Sequence, residues 1–146
     1  MSVGRGTTGG PPGSRPPSGP ALAVLFVDPD VDGAERLARS LPNVSAIAVV
    51  PNARGAYAAI NARVPDLLVT ELDLPDTSGV DLLRRVHMAP ATKHVLLIVL
   101  TRRNGVHDKI AAFDAGADDY LVKPVTPERL ATHVRLVSRF RHVISN

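Results

Sequence analysis

A few side chains in this sequence stand where short apolar runs end. Asp28 and Asp30 follow 21-ALAVLFV-27, Glu71 follows 67-LLVT-70, Thr101 and Arg102 follow 95-VLLIVL-100, and Lys123 follows 120-YLV-122. Past Glu71 the chain continues through a loop with more acids, 71-ELDLPDTSG-79, which contributes Asp73 and Asp76. Carboxylate oxygens suit a hard divalent cation such as Mg²⁺. An ammonium and a hydroxyl suit the oxygens of a phosphoryl group. Each residue alone has a plainer reading: Asp30 as a helix cap, Thr101 as a strand-end hydroxyl, Lys123 as a surface lysine, Glu71 as a solvated loop acid. A common strand-end setting for all of them favours a single charged, oxygen-rich cluster.

The elements that must position them follow from periodicity. The five runs 21–27, 44–50, 67–70, 95–100 and 120–122 are strand-length and rich in Val, Ile and Leu. They are continuous rather than alternating, which indicates parallel strands covered on both faces. Helical segments lie between them. Asp30 caps the first, which contains Leu37 and stops before Pro42. Asn52 caps the second, running to about Arg63 with Ala56, Ala59 and Ile60 inward. Ser78 caps 79-GVDLLRRVH-87. Asn104 caps 105-GVHDKIAAFDA-115, which Gly116 closes. Thr126-Pro127-Glu128 opens the last helix with a cap, a Pro at the first position and an acid in the first turn. Five β-α units with right-handed crossovers predict a doubly wound α/β sheet with helices on both faces. In such sheets ligands gather at the carboxyl ends of the strands, at the switch in strand order.

Composition narrows the function. Of 146 residues, 45% are hydrophobic and only 3% aromatic, so Ala, Val, Leu and Ile must build the core of one domain. With no Cys there is no disulfide, thiolate metal site or Cys nucleophile. The net charge of +3 includes Arg5 and Arg15 in the first twenty residues, and the remainder is close to neutral. That is not the footprint of a nucleic-acid binder. No apolar stretch approaches the roughly 18 residues of a membrane span, so no membrane contact is expected and a cytoplasmic location is the default. Residues 1–20 are Gly-, Pro- and Ser-rich and read as a disordered tail, leaving 21–146 as the folded domain. There is no Gly-rich phosphate loop, Ser-His-Asp order or His metal cluster, so an enzyme is not expected.

The residues at the strand ends carry a resemblance. LFVDPD, PDLLVTELDLPDTSGVDLL, IVLTRR and AGADDYLVKPV, in this order and spacing, resemble the receiver domain of two-component response regulators over residues 21–144. The resemblance implies the CheY-like, flavodoxin-like (βα)5 fold with strand order 2-1-3-4-5. It also implies roles. Glu71 takes the position of the phosphoacceptor. Asp28, Asp30 and Asp73 belong to the acidic, metal-holding pocket. Thr101 and Lys123 contact phosphoryl oxygens, and Thr101 with Tyr120 forms the switch that alters the surface of helix 4, strand 5 and helix 5.

Three departures qualify these roles. The acceptor position holds Glu rather than Asp, and its carboxylate reaches about 1–1.5 Å further, an offset that costs on the order of 100-fold in a positioned reaction. Pro29 stands where the family has a second adjacent acid and supplies no side-chain oxygen. Arg102 follows the switch Thr where the family has a small residue; it either points to solvent or gates the pocket, pairing with Glu71 or Asp73. The expectation is a phosphorylation-independent receiver with no cofactor and at most weak Mg²⁺ binding, acting through a protein partner in two-component signalling. The alternatives are a working phosphoacceptor that uses Glu71 or Asp73 with Mg²⁺, and a degenerate pocket that binds a small molecule.

The last helix adds an output surface. Leu130, Val134 and Val137 form one inward stripe, and Leu136, Phe140 and Val143 a second, with Arg129, Arg135, Arg139 and Arg141 around it. The second stripe reads either as a wide core face or as a partner surface. The family resemblance favours a homodimer through helix 4, strand 5 and helix 5, with Leu136, Phe140 and Arg139 in the interface. If the chain ends at Asn146, its output is a protein contact.

Overall fold

A computed structural model describes the backbone of residues 21–145 and the side chains of residues 21–140. The tail expected over residues 1–20, and Arg141 and Val143 on the last helix, lie outside the residues so described. The elements alternate as β1 (Leu22–Val27), α1 (Val31–Ser40), β2 (Val44–Val50), α2 (Ala53–Ala62), β3 (Leu67–Thr70), α3 (Gly79–Met88), β4 (Leu96–Thr101), α4 (Val106–Asp114), β5 (Asp119–Val122) and α5 (Pro127–Ser145). The strands form one parallel sheet in the order β2-β1-β3-β4-β5.

Two cores sit on opposite faces of the sheet, as the period-2 alternation of strand side chains requires. Leu25, Val27, Leu68, Leu97 and Val99 meet Ala56 and Ile60 of α2, Leu82, Leu83 and Val86 of α3, and Ala112 of α4. Val24, Phe26, Leu67, Val69, Ile98 and Leu100 meet Ala34 and Ala38 of α1 and Leu130 and Val137 of α5. Each large apolar side chain taken fully from water contributes about 1.5–3 kcal/mol, so β1, β3 and β4, buried on both faces, form the rigid centre of the domain. β2 does not share that burial. Its continuous apolar run predicted cover on both faces, but it is an edge strand and Ser45, Ile47 and Ala48 are exposed.

Four of the five expected helix caps form. Asp30, Asn52 and Ser78 accept from Gly33 N, Gly55 N and Val80 N, and Thr126 accepts from Arg129 N at 3.1 Å. The fifth does not. Gly105 rather than Asn104 is the cap residue of α4, and no side chain bonds there. Residues 102–104 stay outside the helix because Arg103 is held by Thr101 on one side and Tyr120 on the other. Gly116 closes α4 at φ 117°, where a side chain would also strike His87. Glycine is required at position 79 for a different reason: a Cβ there would collide with the backbone carbonyl of Glu71, so the start of α3 lies directly against the site.

Candidate functional site

The strand ladders fix the site by continuing one residue past the strands. Asp28 N donates to Val50 O at 3.0 Å, Glu71 N to Val27 O at 2.9 Å and Lys123 N to Thr101 O at 2.8 Å. Thr101 is itself the last residue of β4, paired with Val122, one residue later than its sequence position suggests. Because β1 and β3 are neighbours across the switch in strand order, Asp28 and Glu71 come side by side.

Asp28, Glu71 and Thr101 are all buried. Glu71 is saturated. Its Oε2 accepts from the Thr101 hydroxyl, from Leu72 N at 2.7 Å and from Asp73 N at 3.1 Å, and its Oε1 faces Lys123 Nζ at 3.2 Å. Lys123 Nζ also lies 2.7 Å from Asp28 Oδ2, while Asp28 Oδ1 accepts from Asp30 N at 2.9 Å. Burial opposes the lysine charge, but the hydrogen bonds and charges of Asp28 and Glu71 outweigh it and hold its pKa above the ordinary lysine value.

The remaining predicted residues lie further out. Asp30 is exposed and spends its carboxylate on the cap of α1. Asp73 is exposed, its amide turned to Glu71 and its carboxylate to Arg103. Tyr120 donates its hydroxyl to the carbonyl of Arg103 at 2.7 Å. Burial raises the Tyr120 pKa, and the acids Asp108 and Glu71 add to the rise. Arg102 is exposed, and the pairing with Asp73 that was one of its two readings is made by Arg103 instead. The chain bends at Arg102 as β4 ends, and the amide of Arg103 turns back to Thr101 Oγ1.

Two sets of contacts were not foreseen from the sequence. Arg103 bonds both Asp73 and Asp108, and these acids raise its pKa, Asp73 most. Asp76 accepts from Ala53 N and Arg54 N, joining the loop after β3 to the start of α2 and lowering its own pKa. No signal in the sequence points to either contact.

Known proteins share this sequence pattern and fold. Residues 24–135 match the response regulator receiver domain family. An uncharacterised 14.6 kDa protein of Leptolyngbya boryana is 36% identical over 120 residues, 82% of this chain and 89% of that protein. The phosphate regulon transcriptional regulatory protein PhoB of Pseudomonas aeruginosa is 33% identical over 117 residues, 80% of this chain but 51% of PhoB. The chain thus spans about half the length of that regulator. A solved structure described as a response regulator from Chloroflexus aurantiacus is 33% identical with a TM-score of 0.73, covering 80% of this chain and 97% of that one. The chemotaxis response regulator CheY4 of Vibrio cholerae, 23% identical over 80% of this chain and 98% of its own, shares the fold with a TM-score of 0.74. The chain belongs to the response regulator receiver domain family and has its CheY-like fold.

Proposed function

We propose that this receiver signals without phosphorylation, with the Glu71 carboxylate fixed as a standing substitute for a phosphorylated side chain. The observation that carries the reading is the saturation of Glu71. The Thr101 hydroxyl, the Lys123 ammonium and two loop amides, the donors suited to phosphoryl oxygens, are all directed at its own carboxylate.

The donor set also fits Mg²⁺ poorly. Asp28 is engaged by Lys123, Asp30 by a helix cap and Asp73 by Arg103, and Pro29 offers no oxygen. Among the described residues no three His, Cys, Asp or Glu side chains are grouped to hold a metal. An octahedral Mg²⁺ needs several freely placed oxygens. Lys123 supplies the positive charge that balances Asp28 and Glu71. The domain performs no catalysis of its own in this reading; it presents a face to a protein partner.

That face is α4, β5 and α5. Val106, Ile110 and Phe113 on α4 and Leu136 and Phe140 on α5 are exposed. The acids Asp108 and Asp114 lie on α4, and Arg129, Arg135 and Arg139 on α5. A symmetric pairing of two copies through this face sets the arginines of one against the acids of the other. Nucleic acid and membrane have no part in this contact, and among the described residues no helix is long and apolar enough to cross a membrane. Incubation with acetyl phosphate and Mg²⁺ followed by intact-mass measurement tests the reading: no phosphoryl gain is expected. A gain abolished by Glu71→Ala or Asp73→Ala would replace it with a working phosphoacceptor. Saturable stabilisation by one metabolite in a thermal-shift panel would replace it with a ligand-binding pocket.

A further inference from the structure

Arg103 joins four parts of the domain. Its amide donates to Thr101 Oγ1 at 3.3 Å. Its Nε and Nη2 each lie 2.8 Å from Asp73 Oδ1, in the loop after β3. Its Nη1 lies 3.4 Å from Asp108 Oδ1, in the first turn of α4. Its carbonyl accepts the Tyr120 hydroxyl from β5. Asp73 and Thr101 in turn both bond Glu71, so a closed ring of contacts runs Glu71, Thr101, Arg103, Asp73 and back to Glu71. Tyr120 and α4 hang on the same arginine.

We propose that Arg103 is a strap: a positioning residue that ties the Glu71 carboxylate to Tyr120 and α4 and so holds the α4–β5 face in one arrangement. This deepens the reading of Glu71 as a fixed substitute and rests on it. A covalent phosphoryl group would draw the loops together only while it lasts. An ion pair across the two loops does so permanently, and the planar guanidinium reaches both acids at once. An isolated pair as exposed as Arg103–Asp73, at 50% and 60%, stabilises little. The strap does not depend on large stability. It depends on Arg103 adding its side-chain contacts to a loop whose backbone already donates to Thr101 and accepts from Tyr120, so that a small bias is read at the switch residue.

The chain has two tyrosines and no tryptophan, so Tyr57→Phe leaves Tyr120 as the reporting fluorophore. In that background, acrylamide quenching of Tyr120 and the NMR shifts of the Leu72 and Asp73 amides are compared for Arg103→Ala, Asp73→Ala, their double variant, Arg102→Ala and Glu71→Ala. Arg103→Ala is expected to raise quenching on the order of two- to fivefold, the range an exposed pair can bias. It is also expected to shift both amides, which a merely structural surface arginine would not do. Asp73→Ala should match it, the double variant should add nothing, and Arg102→Ala should change nothing. If Glu71→Ala moves Tyr120 and Arg103→Ala leaves it and the amides as they were, the strap is wrong and the reading of Glu71 stands. If neither moves Tyr120, pocket and face are uncoupled and both ideas fall.

Discussion

Lys123 reaches across the sheet from the end of β5 to within 2.7 Å of Asp28 Oδ2 at the end of β1. Glu71 lies 3.2 Å from the same ammonium. One cation therefore serves two buried carboxylates. Lys123→Ala leaves both facing each other without it. The expected cost is about 2–3 kcal/mol, the penalty of stranding buried charged acceptors. It is read as a lower urea midpoint at unchanged slope. A variant as stable as the parent would mean that water or ions replace the ammonium without loss.

The same cluster sets an alkaline limit. Asp28 and Glu71 outweigh burial and keep the Lys123 pKa above its usual 10.5. A raised folded-state pKa gives stability that is complete below the unfolded value and is lost as pH climbs through the folded one. Tyr120, raised above 10.0 by burial and then by Asp108 and Glu71, has the same sign, because ionisation adds a charge the folded state disfavours. These two groups are expected to leave stability level near neutrality and to lower it above pH 10.0 for Tyr120 and above pH 10.5 for Lys123. Lys123→Met should remove the lysine's part of that slope in urea melts between neutral and alkaline pH.

On the proposed reading, a working phosphoacceptor requires two changes. Glu71→Asp shortens the acceptor but leaves Pro29 without an oxygen beside Asp28. Pro29→Asp supplies the oxygen but leaves the longer acceptor. The double variant Pro29→Asp/Glu71→Asp is expected to gain one phosphoryl mass from acetyl phosphate in Mg²⁺, and each single variant at least tenfold less, in line with the cost of roughly 1 Å misplacement. Equal labelling of Glu71→Asp alone would show that Asp28 suffices for the metal.

Gly79→Ala tests the close approach of α3 to Glu71. The added Cβ meets the carbonyl of Glu71 and the Cα of Leu72, both backbone atoms with nowhere to go. Overpacking of this kind costs about 1–3 kcal/mol. Amide shifts should concentrate at Glu71, Leu72 and Asp73, the residues that would be displaced.

The strands were legible because β1, β3 and β4 are buried on both faces and so carry unbroken apolar runs. β2 carries the same kind of run as an edge strand, since composition reports apolarity and not the number of faces covered. Asp28, Glu71, Thr101 and Lys123 could be picked out because each sits at a strand end, where the ladder alone fixes its place. Arg103 and Asp76 act through loops, and which loop residue meets which is decided by tertiary contact between segments far apart in sequence. The misplacement of the α4 cap has the same origin: Asn104 has the right chemistry, but Thr101 and Tyr120 hold its neighbour outside the helix.

The second stripe of α5 decides whether the face is used by a second copy. Leu130 and Val137 are buried against the sheet, whereas Leu136 is 52% and Phe140 67% exposed. They are not part of the core within the described residues, so carboxylates there leave the fold intact. In a symmetric dimer each substitution is felt twice. Leu136→Asp and Phe140→Asp are each expected to weaken self-association roughly 10- to 100-fold by sedimentation, the effect of losing about 1.4–2.8 kcal/mol of apolar contact at an interface centre. Arg139→Glu should weaken it too, and increasingly less as salt is raised, because that contribution is electrostatic and screened. A chain that sediments as a monomer at high concentration, with or without these substitutions, would assign the stripe to a different protein.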